Sequence, residues 1–283
     1  MPIIKKIKDY LKEFKSTDNV LKKKTAKWRI RRGFLQEFNS EVDDSYAKSR
    51  ILEINRLSAR FFHDFLVSEN GKTGMDYLLS LGLTLQTIEH FELGLAPNSG
   101  DSLMNYLKSK GFSLDDMVKA GLCGVTENGM QYDHFRNRVM FPIVDLEGNV
   151  IAFSGRLMPD DDRSARYARY MNTGDTPVFR KSHNFYGLNF AKNYCQEKLI
   201  LVEGVLDVIT LHQAGVQNAA AILGTALTEN HIKLISRYTN EVVIAFDADP
   251  IGKKATERAI NMLQNSNIKS RVLQLPDRKD PKE

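Results

Sequence analysis

From residue 198 to 275 the sequence alternates short strand-like stretches, two of them clear apolar runs, with helical periods, and this alternation leaves few folds open. The strand-like stretches are 199–202, 218–223, 241–246 and 270–275, and the helical stretches are about 205–214, 228–238 and 251–264. Buried parallel strands read as continuous apolar runs because helices cover both faces of the sheet. The expected fold class is therefore α/β, with a central, mostly parallel sheet. The two apolar runs end abruptly in acid. Leu199-Ile200-Leu201-Val202 leads into Glu203-Gly204 and then Asp207, and Val242-Val243-Ile244-Ala245-Phe246 leads into Asp247-Ala248-Asp249. Ligands of such sheets sit outside the carboxyl ends of the strands, so these acids are expected at one edge. Two carboxylates about 4 Å apart repel by roughly 4 kcal/mol at an effective dielectric near 20. A divalent cation relieves that repulsion, and hard oxygen donors suit Mg2+ or Mn2+. The simpler reading, acids that only cap helices, fits the full set in this order less well. Gly224-Thr225 closes the second run with residues small enough for close backbone approach to a ligand, and Pro250 suits a first helical turn.

The remaining sequence bounds the class. A chain of 283 residues holds one large domain or two ordinary ones. Its 42% hydrophobic and 27% charged content is that of a soluble globular protein. No apolar run approaches the roughly 20 residues of a membrane helix, and the N-terminus lacks a signal-peptide core. Cys123 and Cys195 stand far apart without a CxxC pair, which argues against a disulfide framework and against structural zinc. The expected compartment is the cytoplasm, with no membrane partner. Charge is unevenly placed. Residues 1–34 hold nine Lys and three Arg against Asp9, Glu13 and Asp18, or +9, so the rest carries −4 of a net +5. A basic head suits a polyanion or an ordinary solvated helix.

Residues 1–45 are expected to form a basic, amphipathic helical leader, in which Trp28-Arg29-Ile30-Arg31-Arg32 has the composition of a base-stacking segment or of a docking helix. Helix continues over 46–67, with Ala47, Ile51, Ile54, Leu57, Phe61, Phe62 and Phe65 as a core stripe. Gly71-Lys72-Thr73-Gly74 lacks the upstream glycine of a P-loop, where Leu66 stands instead. Residues 75–122 read as short helices broken by Gly82, Gly94, Pro97, Gly111 and Gly121, with a capping-box start at Ser113. Val139–Val144 and Val150–Phe153 read as strands joined by a turn. Around them lie Arg136, Arg138, Arg156, Arg163, Arg166, Arg169, Arg180 and Lys181, with Asn172, Thr173 and Thr176 among them. Guanidinium groups fork onto phosphates. A surface salt-bridge lattice with Asp160, Asp161 and Asp162 is the alternative, weakest at Arg136 and Arg138, which flank a buried strand where a cation needs a partner.

Glu203-Gly204, Asp207 and Asp247-x-Asp249 in this strand–helix context form the signature of a TOPRIM domain. Upstream, Tyr132-Asp133-His134-Phe135-Arg136-Asn137-Arg138-Val139-Met140-Phe141-Pro142-Ile143 closely resembles the polymerase core of bacterial DnaG-type primases. The same holds for Phe153-Ser154-Gly155-Arg156, Arg169-Tyr170-Met171-Asn172-Thr173, Thr176-Pro177-Val178-Phe179-Arg180-Lys181, Tyr186-Gly187-Leu188 and Leu93-Gly94-Leu95-Ala96-Pro97-Asn98. The resemblance runs from about residue 50 to 283. It implies an α+β primase subdomain over 46–197, then a TOPRIM domain over 198–283 that stops short at its C-terminal side. It implies template-directed synthesis of short RNA primers on single-stranded DNA from ribonucleoside triphosphates, by two-metal nucleotidyl transfer with Mg2+ or Mn2+. Glu203, Asp247 and Asp249 match the family's metal-binding, catalytic carboxylates, and Asp207 and Asp280 its supporting acids. Arg136, Arg138, Arg156, Arg169, Asn172 and Lys181 match its DNA- and nucleotide-binding groove. The family also has an N-terminal zinc ribbon, for which this sequence offers no ligands, so no zinc is expected. It has a C-terminal helicase-binding domain, which this sequence does not show, and Lys282 stands where the family has an acid. A DNA-binding remnant that polymerises poorly and a TOPRIM nuclease are the rival functions. The intact cationic series speaks against the nuclease.

Overall fold

The computed structural model describes residues 20–159, 161, 167–224 and 226–273, with side chains from residue 44 onward. Expectations placed on the first residues of the leader, the Trp28 side chain, Asp160, Asp162, Arg163, Arg166, Thr225, Asp280 and Lys282 lie outside the described residues. The chain divides into two units, Met1–Ala47 and Lys48–Glu283. What is described of the first is helix from Val20 onward.

Helix α1, Val20–Val67, carries the apolar stripe that organises the first half of the second unit. Ile51, Ile54, Ala59, Phe62 and Leu66 along it are buried, and Leu57, Phe61 and Phe65 pack partly buried against the same cores. Short helices follow: α2 (Lys72–Ser80), α3 (Leu85–His90), α4 (Ser102–Ser109) and α5 (Leu114–Lys119). Ser113 and Asp116 close the expected reciprocal cap at the start of α5.

The stretch read as helices broken by glycine is not all helix. Gly94–Ala96 is strand β1, and Cys123–Val125 is β2, paired with β3 (Gln131–Asp133). Runs of three residues hold no readable period. β1 becomes a strand by pairing antiparallel with β4, Gly94 opposite Met140, a contact more than forty positions away in sequence. β4 (Arg138–Val144) and β5 (Val150–Leu157) form the buried centre of an antiparallel sheet ordered β1-β4-β5-β6, with β6 at Tyr170–Asn172. β5 runs past its expected end at Phe153 because Arg138 pairs opposite Leu157, carrying polar Ser154 and Arg156 into the interior. Pro142 is tolerated in β4 because β1 reaches no further than Met140. Asp145 Oδ1 accepts from Glu147 N–H (3.0 Å) and Asn149 N–H (2.8 Å), which shapes the hairpin turn.

After a short helix α6 (Leu188–Ala191), the second half follows the expected alternation: β7 (Leu199–Val202), α7 (Val205–Gln213), β8 (Ala219–Ala221), α8 (Glu229–Ile235), β9 (Glu241–Ile244), α9 (Pro250–Gln264) and β10 (Lys269–Val272). Its four strands are all parallel, ordered β10-β9-β7-β8. The two sheets share apolar packing: Val139, Phe141 and Ile151 lie in one cluster with Val202, Val205, Val208 and Ala221. Tyr186 extends the β8 edge through two backbone bonds to Ala221 (2.9 and 3.0 Å). The Gln213 amide accepts from Thr84 N–H (2.9 Å) and donates to Gly82 carbonyl (2.8 Å), joining α7 to the turn before α3. Cys123 and Cys195 are both buried thiols. Among the described residues no helix is long and apolar enough to cross a membrane.

β1 crosses α1 so closely that a Cβ on Gly94 would lie 2.5 Å from Phe62 Cβ and 2.9 Å from His63 N. Those atoms belong to a packed helix and cannot swing away. Gly94→Ala should therefore lower stability by about 1–3 kcal/mol, as overpacking does, read as a drop in the midpoint of thermal or urea unfolding.

Candidate active site

β7 and β9 are neighbours, with Leu201 opposite Ile244, and Ala245 N–H still donates to Leu201 carbonyl (2.9 Å) beyond the strand end. The chains therefore leave the sheet side by side and bring Glu203 and Asp247 to the same edge. Glu203 is half-buried, and its Oε1 is a buried acceptor with no hydrogen-bond partner. Burial first, then repulsion from Asp247 and Asp249, hold its carboxyl above the usual glutamate range, although the Asp247 backbone N–H opposes this. Gly252, in the first turn of α9, closes the site from the side. A Cβ there would sit 2.9 Å from Glu203 Oε1 and would collide with the Asp247 carbonyl oxygen. Only glycine lets α9 start this close to the two acids.

The other two acids bond to backbone. Asp249 caps α9, its Oδ1 accepting from Ile251 N–H (2.9 Å) and Gly252 N–H (2.7 Å). Asp207 is buried, and its Oδ2 accepts from Gly204 N–H (2.9 Å), bracing the turn that follows Glu203. Helix capping is thus part of what Asp207 and Asp249 do. It leaves Asp249 Oδ2 outside the cap and Glu203 Oε1 buried beside Asp247 without a hydrogen bond. Among the described residues no three His, Cys, Asp or Glu stand close enough to form a ready-made ion shell. The acids are neighbours at one edge rather than a preformed chelate. Their chemistry fits a hard divalent cation: acceptor-only oxygens, one of them orphaned and buried, under mutual repulsion.

The cations of the first half divide by environment. Arg138 is 3% exposed, and its guanidinium donates to the carbonyls of Gly155 (3.1 Å), Arg169 (3.2 Å) and Ala168 (3.1 Å). It tethers the 168–169 segment to β5. Arg156 is also buried, but no described acid pairs with it. Its guanidinium lies between the rings of Tyr77 (5.4 Å) and Tyr170 (5.6 Å), Nη1 donates to Tyr170 Oη (3.2 Å), and Nε has no partner. Cation–π contact offsets part of the cost of burying that charge. Arg136 is half-buried over Tyr132 (5.8 Å), and Arg169 is exposed. Asn172 points to the end of β8, its amide donating to Leu223 carbonyl (3.3 Å). Lys181 is half-buried, and its backbone N–H donates to Asp175 (3.2 Å). Asp161, expected as a charge partner for the arginines, accepts from Asn137 Nδ2 (2.8 Å). Asn137 takes φ +49°, a conformation that asparagine tolerates better than most residues.

Sequence reasoning did not single out Tyr77, Thr228 or His231. Tyr77 reads as an ordinary helical apolar residue. Thr228 caps α8 with His231 at the position where Glu or Gln normally completes the box, so the usual signal was missing.

Residues 61–192 match the model of the DNA primase catalytic core, N-terminal domain, and residues 200–283 match a Toprim-like model. The DNA primase of Clostridium acetobutylicum is 39% identical over 255 residues, covering 87% of this chain and 41% of that protein. That of Listeria monocytogenes is 39% identical over 237 residues, 82% of this chain and 37% of that protein. The chain thus spans about two fifths of the length of the curated relatives it matches. A crystal structure of a DNA primase domain from Pseudomonas aeruginosa superposes with TM-score 0.75 at 38% identity, over 82% of this chain and 73% of that one. This chain belongs to the DNA primase catalytic-core family. A DnaG primase catalytic domain bound to single-stranded DNA also matches, with TM-score 0.75 at 32% identity over 84% of this chain and 74% of that one. The primase fold is therefore shared along both halves, from the arginine-rich sheet to the Toprim sheet.

The raised pKa of Glu203 has a consequence for the cation-free protein. A carboxyl whose folded pKa lies above its unfolded value favours folding when protonated, and that contribution fades as pH rises through the folded value. At neutral pH the ionised Glu203 is then a cost. Glu203→Gln should unfold at a higher temperature than wild type at pH 7.5 in chelator. The gap should close as pH falls toward the ordinary glutamate value of about 4.3. Parallel thermal melts across this range check both the sign and the closure.

Proposed function

We propose that this chain is the catalytic core of a DNA primase, which builds short RNA primers on single-stranded DNA from ribonucleoside triphosphates. The observation that carries the reading is the desolvated Glu203 carboxylate, one oxygen buried without a hydrogen bond and repelled by Asp247, at the carboxyl edge of the parallel sheet, in a family of primase cores. We assign Glu203, Asp247 and Asp249 to divalent cation binding, with Mg2+ or Mn2+ as the ion. When bound, it supplies charge neutralisation for the triphosphate and acidifies the attacking hydroxyl. Asp207 supports the site by holding the turn at Gly204, and Asp280 is assigned by resemblance. We also assign Glu203 a part in accepting the hydroxyl proton, as a half-buried carboxylate of the set.

Phosphoryl transfer depends on alignment and charge stabilisation more than on covalent help. In this reading the cations follow the phosphates. Arg136, Arg169 and Lys181 keep side-chain surface in solvent, where they can meet the template or the triphosphate. Arg156 holds a fixed positive charge behind Tyr170. Arg138 shapes the groove from below. Residues 46–197 then form the template-binding subdomain and 198–283 the metal-binding one, in the cytoplasm.

The test uses the protein with single-stranded DNA, ribonucleotides and Mg2+ or Mn2+. Wild type should yield short RNA. Asp247→Asn should lower product by at least about 10²-fold, the scale of losing one essential stabilising group, while its DNA affinity holds. Binding without product in wild type would support the remnant reading, and nicked DNA the nuclease.

A further inference from the structure

Lys181 opens a short 3-10 turn, Lys181–His183, which is gripped from the parallel-sheet half. His231, at the third position of α8, is fully buried with its ring against Phe185, 4.5 Å between centroids. Both ring nitrogens are committed. Thr228 N–H donates to Nδ1 (3.2 Å). An amide N–H only donates, so Nδ1 is the acceptor and the proton sits on Nε2. Nε2–H then faces the carbonyls of Lys181 (3.0 Å) and Asn184 (3.2 Å). Thr228 Oγ1 donates to Ser182 carbonyl (2.7 Å) and accepts from His231 N–H (3.2 Å). Two side chains of one helix cap thereby hold three carbonyls of residues 181–184. Asp175 holds the Lys181 N–H from the other side (3.2 Å), and Asn184 Nδ2 returns to Arg180 carbonyl (2.9 Å).

This is more than docking α8 requires. Ile232 and Ile235 already pack into the apolar cluster beneath it. A buried imidazole must be desolvated, and a leucine would fill the same space without that cost. What the imidazole adds is a fixed register for the backbone that carries Lys181. We propose that His231 is a positioning residue: its neutral ring, with Thr228, sets the 181–184 turn so that the Lys181 ammonium meets one phosphate of single-stranded DNA. This rests on the reading of Lys181 as a groove cation.

The salt dependence of single-stranded DNA binding separates the possibilities, because each phosphate neutralised contributes about −0.7 to the log–log slope. Lys181→Ala should make the slope shallower by about 0.7. His231→Leu, which keeps volume but removes both ring bonds, should lose the same amount. The double variant should lose no more than either single one, since coupled residues fail to add. His231→Gln places an amide N–H near the Nε2 position and should retain the wild-type slope. An unchanged slope in Lys181→Ala would overturn the groove reading and this inference with it. A normal Lys181→Ala loss would overturn the inference alone if His231→Leu kept the slope, if the double variant lost twice as much, or if His231→Gln lost as much as His231→Leu. Should His231→Leu fail to fold, by circular dichroism, Thr228→Val carries the test. It removes the Ser182 bond, and a wild-type slope there would likewise contradict the proposal.

Discussion

The parallel pairing of β7 with β9 is the constraint on which the rest depends. It sets Leu201 beside Ile244, and so delivers Glu203 and Asp247 to one sheet edge with no choice of register. The packing that makes this pairing favourable is mainly apolar, with Leu199, Leu201, Val242 and Ile244 buried, and a one-residue slip would turn such side chains outward. Hydrophobic burial thus forces two like charges together. The close start of α9 over Gly252 then removes water from one of their oxygens. The stability of the sheet and the electrostatic tension of the site come from the same contacts.

Charge in the antiparallel half is arranged by an opposite logic. Arg138 and Arg156 are both buried, unlike surface cations such as Lys119, which pairs with Asp115. Arg138 meets three backbone carbonyls, whose dipoles accept from its guanidinium. Arg156 meets two aromatic faces and one hydroxyl.

Much of this was legible in the sequence, and the boundary has physical causes. The βαβ alternation after residue 198 was readable because its strands β7 and β8 are largely buried, so their apolar runs need no partner to be recognised. The carboxylates were readable because acids at the ends of such runs have few other uses. β1 and β2 were not readable: each is three residues long, too short to show a period, and β1 exists through a distant pairing. The carbonyls that Arg138 meets were not readable, since residue type marks a guanidinium and not its backbone partners. His231 and Thr228 escaped because a cap completed by histidine departs from the usual pattern. The caps formed by Asp207 and Asp249 show that one residue can serve helix and site together, which sequence presents as alternatives.

The central claim is that the edge formed by Glu203, Asp247 and Asp249 is under tension that a divalent cation relieves. Direct Mn2+ binding, followed by electron paramagnetic resonance without DNA or nucleotide, tests it most closely. The account predicts saturable binding to wild type that is lost or weakened at least tenfold in Glu203→Gln and in Asp247→Asn, with both variants folded. Equal Mn2+ affinity in wild type and both variants would contradict it.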